Sequence, residues 1–338
     1  SKLNRREIAP LGWLRIKNAC IHNLKNVSVS IPLGNLICVT GVSGSGKSSL
    51  VMDTLYEGLA NRKDFPFAFF EGKEKIKRVL KVDHNPIGKT PRSIPATYVG
   101  FFDDIRKLFA ATPEARTRGL TPSSFSFNVP GGRCESCQGQ GKIKVSMSFL
   151  PDVYNSCEEC EGSRYKPEIL EVKYKGKNVS EILNMTIEEA YHFFLPVKKI
   201  SNSLKLLVDL GLGYLTLGQP SPSLSGGESQ RIKLAAELAR NNSGGSLYVL
   251  DEPSTGLHSY DVEFLLDLLD RLTDRGNTIV IIEHNPEIIA HADYIIDLGP
   301  DRGPDGGEVI ATGTVTEITS FHEKSKTGQI LRKYFSLQ

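Results

Sequence analysis

The chain has 338 residues, of which 39% are hydrophobic and 24% charged, and its formal net charge is +2. These values are typical of a soluble globular protein with two or three domains, or of one large domain with an insertion, and they argue against a surface that is basic throughout. No run reaches the roughly 18 consecutive apolar residues of a membrane-spanning helix, and the first residues lack the apolar core of a signal peptide. We therefore expect a cytoplasmic protein with no membrane partner and with reduced cysteines.

The first part of the chain predicts strands that lead into a glycine-rich loop. Residues 13–16 open a strand, and residues 27–31 alternate apolar and polar side chains, as a half-buried strand does. Residues 36–40 form a short apolar run, which is typical of a buried strand. The loop 41–48 follows directly, and a helix is predicted after it. This order is the context that a phosphate-binding loop requires.

Residues 41–48 match the Walker A pattern GxxxxGK[ST] in full. In this pattern the glycines let the backbone approach phosphates, and the following helix adds its positive end. Lys47 would neutralise charge on the β- and γ-phosphates of ATP, and Ser48 would contribute a hydroxyl to Mg²⁺. The predicted nucleotide contacts in this segment are Gly41, Ser43, Gly44, Ser45, Gly46, Lys47, Ser48 and Ser49.

The middle of the chain, residues 87–165, is rich in glycine, proline, serine, cysteine and aromatic residues, which suits an inserted domain stapled by a metal. Four of its residues follow the spacing C-x2-C-x19-C-x2-C, which can place four thiolates around a structural Zn²⁺. The alternatives are a redox CxxC pair, which would not need the second pair, and two disulfides, which a reducing compartment disfavours. The predicted metal ligands are Cys134, Cys137, Cys157 and Cys160.

Cys20 and Cys38 fall in the strand region and are predicted to be buried apolar fillers. A strand is predicted again at 169–174, followed by helical segments. In the last third, apolar strands at 246–250 and 277–282 flank a segment with helical spacing at 264–269. Alternating strands and helices predict a largely parallel sheet, so the fold class is α/β with a nucleotide-binding core split by the insertion.

The strand at 246–250 ends in Asp251 and Glu252, which is a Walker B pattern. Asp251 would hold Mg²⁺, directly or through water, and Glu252 would orient and deprotonate the attacking water. An acidic pair at a strand end is more often a solvated loop when it occurs alone. Together with the loop at 41–48, the catalytic interpretation is favoured.

Residues 224–231, LSGGESQR, resemble the LSGGxxxR signature of ABC ATPases. Ser225 and the N–H groups of the two following glycines would form a second anion site at a helix start. The resemblance implies that this loop closes on the nucleotide of a partner module, so that the working site is shared by two modules arranged head to tail. The predicted contacts are Ser225, Gly226, Gly227 and Glu228.

The same ABC resemblance assigns residues 254–258 to the D-loop, which runs along the interface between modules. It places His284, just after the strand at 278–282, in the position of the switch histidine. His284 would hydrogen-bond the γ-phosphate and hold Glu252 and the water in line. The predicted catalytic residues are therefore Glu252, His284 and Lys47.

Longer motifs narrow the resemblance. Residues 83–93, DHNPIGKTPRS, are similar to the DQxPIGRTPRS segment of the UvrA family, the damage-recognising component of the ABC excinuclease, and residues 125–129, 131–134, 149–154, 174–177, 209–214 and 217–219 also match that family. The resemblance runs from about residue 12 to 315 and fits the C-terminal half of the family. It implies an ATPase, not itself a nuclease, that binds duplex DNA as a dimer and recognises DNA damage in nucleotide excision repair. The implied cofactors are ATP, Mg²⁺ and Zn²⁺.

Three departures from the family pattern are visible. The chain carries a single Walker A, signature and Walker B set, so its second module would come from a homodimer or from a separate N-terminal half. His84, a predicted nucleotide contact, replaces the Q-loop glutamine, and Ser124 replaces a basic residue before the FSFN motif. The alternative function is therefore a divergent UvrA-like ATPase in drug resistance or self-protection, without a repair role.

The predicted zinc insertion argues against a third function, the ATPase component of a transporter.

The predicted domains are residues 1–86, the first part of the ATP-binding core; residues 87–244, a signature domain with a zinc module at about 130–166; and residues 245–338, the second part of the core. Residues 20–24 offer no aromatic side chain for adenine. The candidate DNA contacts are Arg116, Arg118, Arg133, Lys142 and Lys144.

Overall fold

The computed structural model describes residues 9–60, 65–147, 150–240, 244–257 and 259–336, and it gives no side-chain environment for residues 145–153 and 258–261. Phe149 of the FLPDVY motif and His258 of the predicted D-loop lie outside the described residues. The chain divides into two compact units, one formed by Ser1–Asp83 with Asn241–Gln338 and the other by His84–Arg240. The predicted boundaries after residues 86 and 244 remain predictions, and His84 falls in the second unit.

The strands are short, as in most compact domains. They are β1 (Gly12–Ala19), β2 (Val27–Leu33), β3 (Leu36–Gly41), β4 (Phe69–Glu71), β5 (Arg78–Val82), β6 (Lys142–Met147), β7 (Leu150–Ser156), β8 (Ser246–Asp251), β9 (Thr278–Ile282), β10 (Tyr294–Gly299) and β11 (Glu308–Gly313).

A π-helical segment, Ser49–Tyr56, follows the glycine-rich loop and runs directly into the first α-helix. The α-helices are α1 (Glu57–Ala60), α2 (Pro95–Val99), α3 (Phe102–Ala110), α4 (Pro113–Thr117), α5 (Pro167–Leu170), α6 (Val179–Asn184), α7 (Ile187–Phe193), α8 (Lys198–Asp209), α9 (Gly226–Ala239), α10 (Ser259–Thr273), α11 (Pro286–His291), α12 (Val315–Ser320) and α13 (Lys326–Ser336). Single 3₁₀ turns lie at Lys73–Lys75, Pro122–Phe125, Ser221–Ser223 and Gly303–Asp305.

The main sheet of the first unit has, within the described residues, the strand order β11-β10-β3-β9-β8-β5. All neighbouring pairs from β10 to β5 are parallel, and only β11 runs antiparallel. The prediction of a largely parallel α/β sheet is therefore confirmed. The inner strands β3, β8 and β9 are buried along nearly their whole length, which explains why their sequences are continuous apolar runs rather than alternating ones.

The antiparallel sheet β2-β1-β4 belongs to the same unit. Leu14, Ile16 and Val29 are buried and belong to one apolar cluster with Leu50 and Leu55 of the helix that follows the glycine-rich loop. This packing fixes the start of that helix relative to β3. The sheet therefore supports the geometry of the loop between them.

Cys38 is buried in β3, as predicted, but the prediction for Cys20 is wrong because this residue is exposed. β1 ends at Ala19, which is buried, and Cys20 follows in the turn, where its Sγ donates to the carbonyl oxygen of Phe67 at 3.6 Å. Alternation along a strand predicts burial only while the strand continues.

The second unit contains α2 to α9 and the hairpin of β6 and β7. The strand predicted at 169–174 is wrong, since this segment begins in α5 and continues as a turn. Pro167 occupies the first helical turn, which suits its fixed φ, and Ile169 and Val172 are both buried three residues apart. The apolar residues therefore follow helical spacing. Throughout the described ranges, no helix combines the length and apolar character needed to span a membrane.

Candidate functional site

The glycine-rich loop 41–48 lies between β3 and the helical segment that begins at Ser49. Gly44 and Gly46 have φ values of +80° and +102°, which residues with a side chain rarely adopt. A Cβ added to Gly46 would lie 2.9 Å from Leu24 Cδ2. The loop backbone therefore requires glycine, and a Walker A loop uses that freedom to turn its N–H groups towards phosphates.

Lys47 is buried with only 6% of its surface exposed, and its Nζ donates to the carbonyl oxygens of Gly41 at 3.0 Å and Val42 at 2.9 Å. Burial lowers the pKa of Lys47, and the nearby carboxylates of Glu252 and Asp251 oppose this shift. The ammonium group therefore sits between the loop and the acidic strand end, where a phosphate chain with bound Mg²⁺ would meet both.

Ser45 and Ser48 carry hydroxyls that fit a nucleotide. Ser45 is fully buried, and its Oγ has no hydrogen-bond partner among the described residues. Buried hydroxyls usually find a partner, so an unpaired one in this loop fits a polar ligand. Ser48 precedes the helical segment without capping it through its side chain, so its exposed hydroxyl is available to Mg²⁺.

Asn23 was missed from the sequence and braces the loop from outside. Its Nδ2 donates to the carbonyl oxygens of Gly44 at 3.2 Å and Gly303 at 3.1 Å. The N–H of Gly303 in turn donates to the carbonyl of Gly44 at 2.9 Å. A bond between residues so distant in the chain leaves no local pattern, which is why the sequence did not reveal it.

β8 ends at Asp251 and is followed directly by Glu252, and His284 lies just after β9, the neighbouring strand. Because β3, β9 and β8 are adjacent and parallel, their carboxyl ends bring Gly41, Asp251 and His284 to one edge of the sheet. His284 Nε2 lies 3.5 Å from Glu252 Oε1, and both side chains are 48% exposed. The structure thus brings together the predicted base and the predicted switch histidine.

Glu283 is a second residue that sequence reasoning missed. It is 2% exposed, and its carboxylate accepts hydrogen bonds from the backbone N–H groups of Ser254, His284 and Asn285 at 2.8, 2.8 and 3.0 Å. The side chain therefore joins the turn after β8 to the turn after β9. A glutamate beside a predicted switch histidine gives no sequence signal of this role.

The signature segment lies in the second unit, at the start of α9. Ser225 caps this helix: its Oγ accepts from the N–H of Glu228 at 3.2 Å, and the Glu228 carboxylate accepts from the N–H of Ser225 at 2.7 Å. Tyr214 also donates its hydroxyl to Glu228. The cap leaves the hydroxyl proton of Ser225 and the N–H groups of Gly226 and Gly227 for an anion.

His84 is placed beside the signature residue Gly226. A Cβ added to Gly226 would lie 3.0 Å from the Cβ of His84, so glycine is needed for this close approach. The residue at the Q-loop position therefore packs against the signature turn within the second unit.

The four cysteines of the middle segment form one cluster, with all four sulfur atoms within 4.8 Å of one another. Cys134 and Cys157 Sγ lie 3.9 Å apart, and Cys137 and Cys160 Sγ lie 3.7 Å apart. All four cysteines are free, so the structure contains neither of the two disulfides. Thiolates bound to Zn²⁺ at about 2.3 Å in a tetrahedron lie roughly 3.8 Å apart, so the cluster fits this ion.

Backbone turns support the cysteine cluster. Gly139 and Gly141 have φ values of +76° and +72°, and the N–H of Gly141 donates to Cys137 Sγ at 3.3 Å. The N–H of Cys134 donates to the carbonyl oxygen of Arg164 at 2.9 Å, which joins the two halves of the cluster.

Arg164 extends from this cluster into the rest of the second unit. It is 7% exposed, and its guanidinium donates to the carbonyl oxygens of Pro91 at 3.2 Å and Gly218 at 3.0 Å. The guanidinium carbon also lies 5.0 Å from the centre of the Phe127 ring. Burial lowers the pKa of Arg164. One side chain thus joins the cysteine module to the segment after His84 and to the segment that precedes the signature.

Comparison with known proteins finds relatives that match nearly the whole chain. UvrABC system protein A from Aquifex aeolicus is 55% identical over 328 residues, which are 95% of this chain and 35% of that protein. UvrABC system protein A from Thermus thermophilus is 56% identical over 312 residues, which are 90% of this chain and 33% of that protein. The chain is homologous to UvrA over nearly its whole length.

Solved structures agree with this relationship. The crystal structure of UvrA2 from Deinococcus radiodurans superposes with a TM-score of 0.91 at 48% identity, over 97% of this chain and 40% of that chain. A family model described as "AAA domain, putative AbiEii toxin, Type IV TA system" matches residues 195–290, which contain α9, β8 and β9. The chain spans about a third of the length of the curated UvrA relatives described above.

The UvrA resemblance suggested five basic residues as DNA contacts, and the structure shows that their surroundings differ from one another. Arg118 forms ion pairs with Glu114 at 2.9 Å and Glu171 at 2.6 Å, and Arg133 pairs with Glu135 at 3.1 Å. These pairs reduce the charge that Arg118 and Arg133 present. The remaining candidates are exposed: Arg116, Lys142 and Lys144.

Proposed function

We propose that this chain is the ATP-hydrolysing part of a UvrA-type ABC ATPase that recognises DNA damage in nucleotide excision repair. The observation that carries the proposal is the edge of the main sheet, where the loop 41–48, Asp251, Glu252 and His284 meet. Homology to UvrA over 95% of the chain supports the biological setting.

In the proposed mechanism, the loop 41–48 binds the phosphates of ATP through its backbone, and Lys47 offsets their negative charge. Mg²⁺, held by Ser48 and Asp251, would neutralise charge on the β- and γ-phosphates when bound. Glu252 accepts the proton of the attacking water, and His284, 3.5 Å from it, keeps the carboxylate and the water aligned with the γ-phosphate.

The site is proposed to be complete only when a second module is present. The capped turn at Ser225, with Gly226, Gly227 and Glu228, would contact the γ-phosphate held by the other module. The second module is either another copy of this chain or a separate N-terminal half. His84, next to Gly226, would adjust the signature turn in the position where the family has glutamine.

The four-cysteine cluster is proposed to hold a structural Zn²⁺, since its sulfur separations match a closed tetrahedral site. All four positions would be occupied by thiolates, so the ion would staple the module rather than take part in a reaction. A redox role is less well supported, because a redox CxxC pair would not need the second pair of cysteines.

Duplex DNA is proposed as the macromolecular partner, read through its backbone and deformability rather than its base edges. Arg116 and Lys142, which are exposed, are the preferred contacts. As the UvrA resemblance implies, the chain is proposed to act as an ATPase and not itself as a nuclease.

A second candidate function is a divergent UvrA-like ATPase for self-protection or drug resistance. His84 against Gly226 and Ser124 in a turn favour it, because both replace residues of the family pattern. Preference for damaged over undamaged duplex in filter binding would support the repair role, and equal affinity at low salt would support the alternative.

Glu252→Gln tests the hydrolysis site. The amide keeps the size of the side chain but cannot accept the proton of the attacking water, so we expect ATP turnover to fall at least about a hundredfold. ATP affinity should be retained. Steady-state phosphate release and titration with a fluorescent ATP analogue measure the two quantities. Turnover at the parent rate would show that Glu252 is not the base.

A further inference from the structure

Glu283 is a buried carboxylate between two exposed functional side chains. It is 2% exposed, whereas Glu252 and His284 are both 48% exposed. Burying a carboxylate is costly unless hydrogen bonds replace its water shell. The contacts of Glu283 account for its burial.

The two oxygen atoms of Glu283 bond different turns. Oε1 accepts the N–H of Ser254 at 2.8 Å, and Oε2 accepts the N–H groups of His284 at 2.8 Å and Asn285 at 3.0 Å. The backbone N–H of Glu283 itself donates to the carbonyl oxygen of Val39 on β3 at 3.3 Å. The backbone at Glu283 is thus anchored to the strand that leads into the phosphate loop.

The turn after β8, which donates the N–H of Ser254 to Glu283 Oε1, holds Glu252 in an unfavourable backbone conformation. Its φ is +43°, in the left-handed region that residues other than glycine rarely adopt. The N–H of Glu252 donates to Ile282 at 2.9 Å, and its carbonyl accepts from Thr255 at 3.0 Å. The bond between Ser254 and Glu283 lies inside this turn, so it helps to hold the strained backbone that aims the Glu252 carboxylate.

We propose that Glu283 is a positioning residue for ATP hydrolysis, which keeps Glu252 and His284 in register by bonding both of the turns that carry them. This inference rests on the proposed function. Glu283 acts through these two residues and not on the nucleotide. A displacement of about 1 Å at a catalytic group can reduce the rate by about a hundredfold.

The test is Glu283→Gln in the full chain. Glutamine has the same length, but its NH₂ group would face a backbone N–H donor, so one of the two turns loses its bond. We expect kcat to fall by about ten- to a hundredfold. The KM and the dissociation constant for ATP should stay within about twofold, because the loop 41–48 is not changed.

A second variant covers the case in which glutamine prevents folding. Glu283→Asp keeps the charge but is one methylene shorter, so it cannot bond its own turn and reach Ser254 at the same time. It should show the same fall in kcat at unchanged ATP affinity. The matched control is Asp293→Asn, because Asp293 Oδ2 also accepts a backbone N–H, from Leu36 at 2.8 Å, at the opposite end of β3.

A double variant separates positioning from general destabilisation. If Glu283 acts through His284, then Glu283→Gln must cost less in kcat when His284 is already alanine. An equal fold-loss in both backgrounds, a kcat no lower than that of Asp293→Asn, or a change confined to KM would overturn the proposal.

The result also distinguishes this inference from the proposed function. If Glu252→Gln lowers turnover at least about a hundredfold while Glu283→Gln leaves kcat at the parent value, the role of Glu283 alone would be refuted. A parent chain whose turnover is unaffected by Glu252→Gln would refute both.

Discussion

At the scale of single residues, the backbone of the phosphate loop depends on positions where no side chain fits. Gly46 combines a φ of +102° with Leu24 and Asn23 at 2.9 and 3.3 Å from the place of a Cβ. Asn23 is also the side chain that braces the loop through Gly44. A methyl group at Gly46 would therefore both strain the loop and push away its brace.

Gly46→Ala should weaken ATP binding at least about tenfold, since a left-handed alanine costs roughly 1–2 kcal/mol before any clash. Isothermal titration with ATP and Mg²⁺ measures the loss. Gly119→Ala is the matched control: its φ is +65°, and no described atom lies within 4 Å of the added Cβ. It carries similar strain away from the site and should bind like the parent. Equal binding by both variants would contradict the role of Gly46.

Local patterns in the sequence predicted the position of elements and of the cysteine cluster, while the roles of the predicted site residues remain predictions. The loop 41–48 and the acidic pair after β8 are contiguous patterns, so the elements on which they lie could be predicted, and the spacing of the cysteines led to their cluster. Asn23 and Glu283 were missed because their roles depend on contacts with segments far away in the chain. The error at Cys20 has the same origin, since one residue past the end of β1 the alternation no longer applies.

At the scale of elements, the buried Arg164 joins several segments of the second unit. Arg164 links the cysteine module to Pro91 and to Gly218, and its backbone carbonyl accepts from Cys134. The segment 169–174, for which the sequence wrongly predicted a strand, lies just after Arg164 in the chain. The alternation of residues 169–174 favoured a strand, but tertiary burial of Ile169 and Val172 on one side selected a helical turn.

Arg164→Met should lower the free energy of unfolding by about 2–4 kcal/mol, because two buried carbonyl groups lose their donors. Arg164→Lys should lie between the parent and the methionine variant, since a single ammonium group cannot span both carbonyls. Urea unfolding followed by circular dichroism measures these changes. Arg118→Met is the control, because Arg118 is on the surface and its ion pairs with Glu114 and Glu171 are solvated. If Arg118→Met were as destabilising as Arg164→Met, the buried link would be unimportant.

At the scale of the whole molecule, the chain holds a phosphate loop in one compact unit and a signature turn in the other. The alternation of strands and helices predicted that β3, β9 and β8 would be parallel. The strand order itself could not be predicted, because it depends on which strand each crossover returns to. Each copy carries one complete set of motifs, so a shared site requires the phosphate loop of one copy and the signature of another.

Mixing two inactive variants tests this shared site. Lys47→Ala disables the phosphate loop of a copy but leaves its signature, and Ser225→Ala disables the signature turn but leaves the phosphate loop. Each variant alone has no intact site in a symmetric head-to-tail dimer. In the mixed dimer, however, Lys47 of one copy faces Ser225 of the other, so one of the two sites is intact. An equimolar mixture forms such dimers about half of the time and should recover about a quarter of the parent ATP turnover.

A second mixture of inactive variants provides the control for this experiment. This mixture, of Lys47→Ala with Glu252→Gln, places both defects on the same side of the shared site, so neither site of the mixed dimer is intact and turnover should stay at background. Recovery in the first mixture but not in the second can arise only if the phosphate loop and the signature act across two copies. If neither mixture recovers activity while the parent hydrolyses ATP, a copy completes its site without the signature of another, and the head-to-tail arrangement is wrong for this chain.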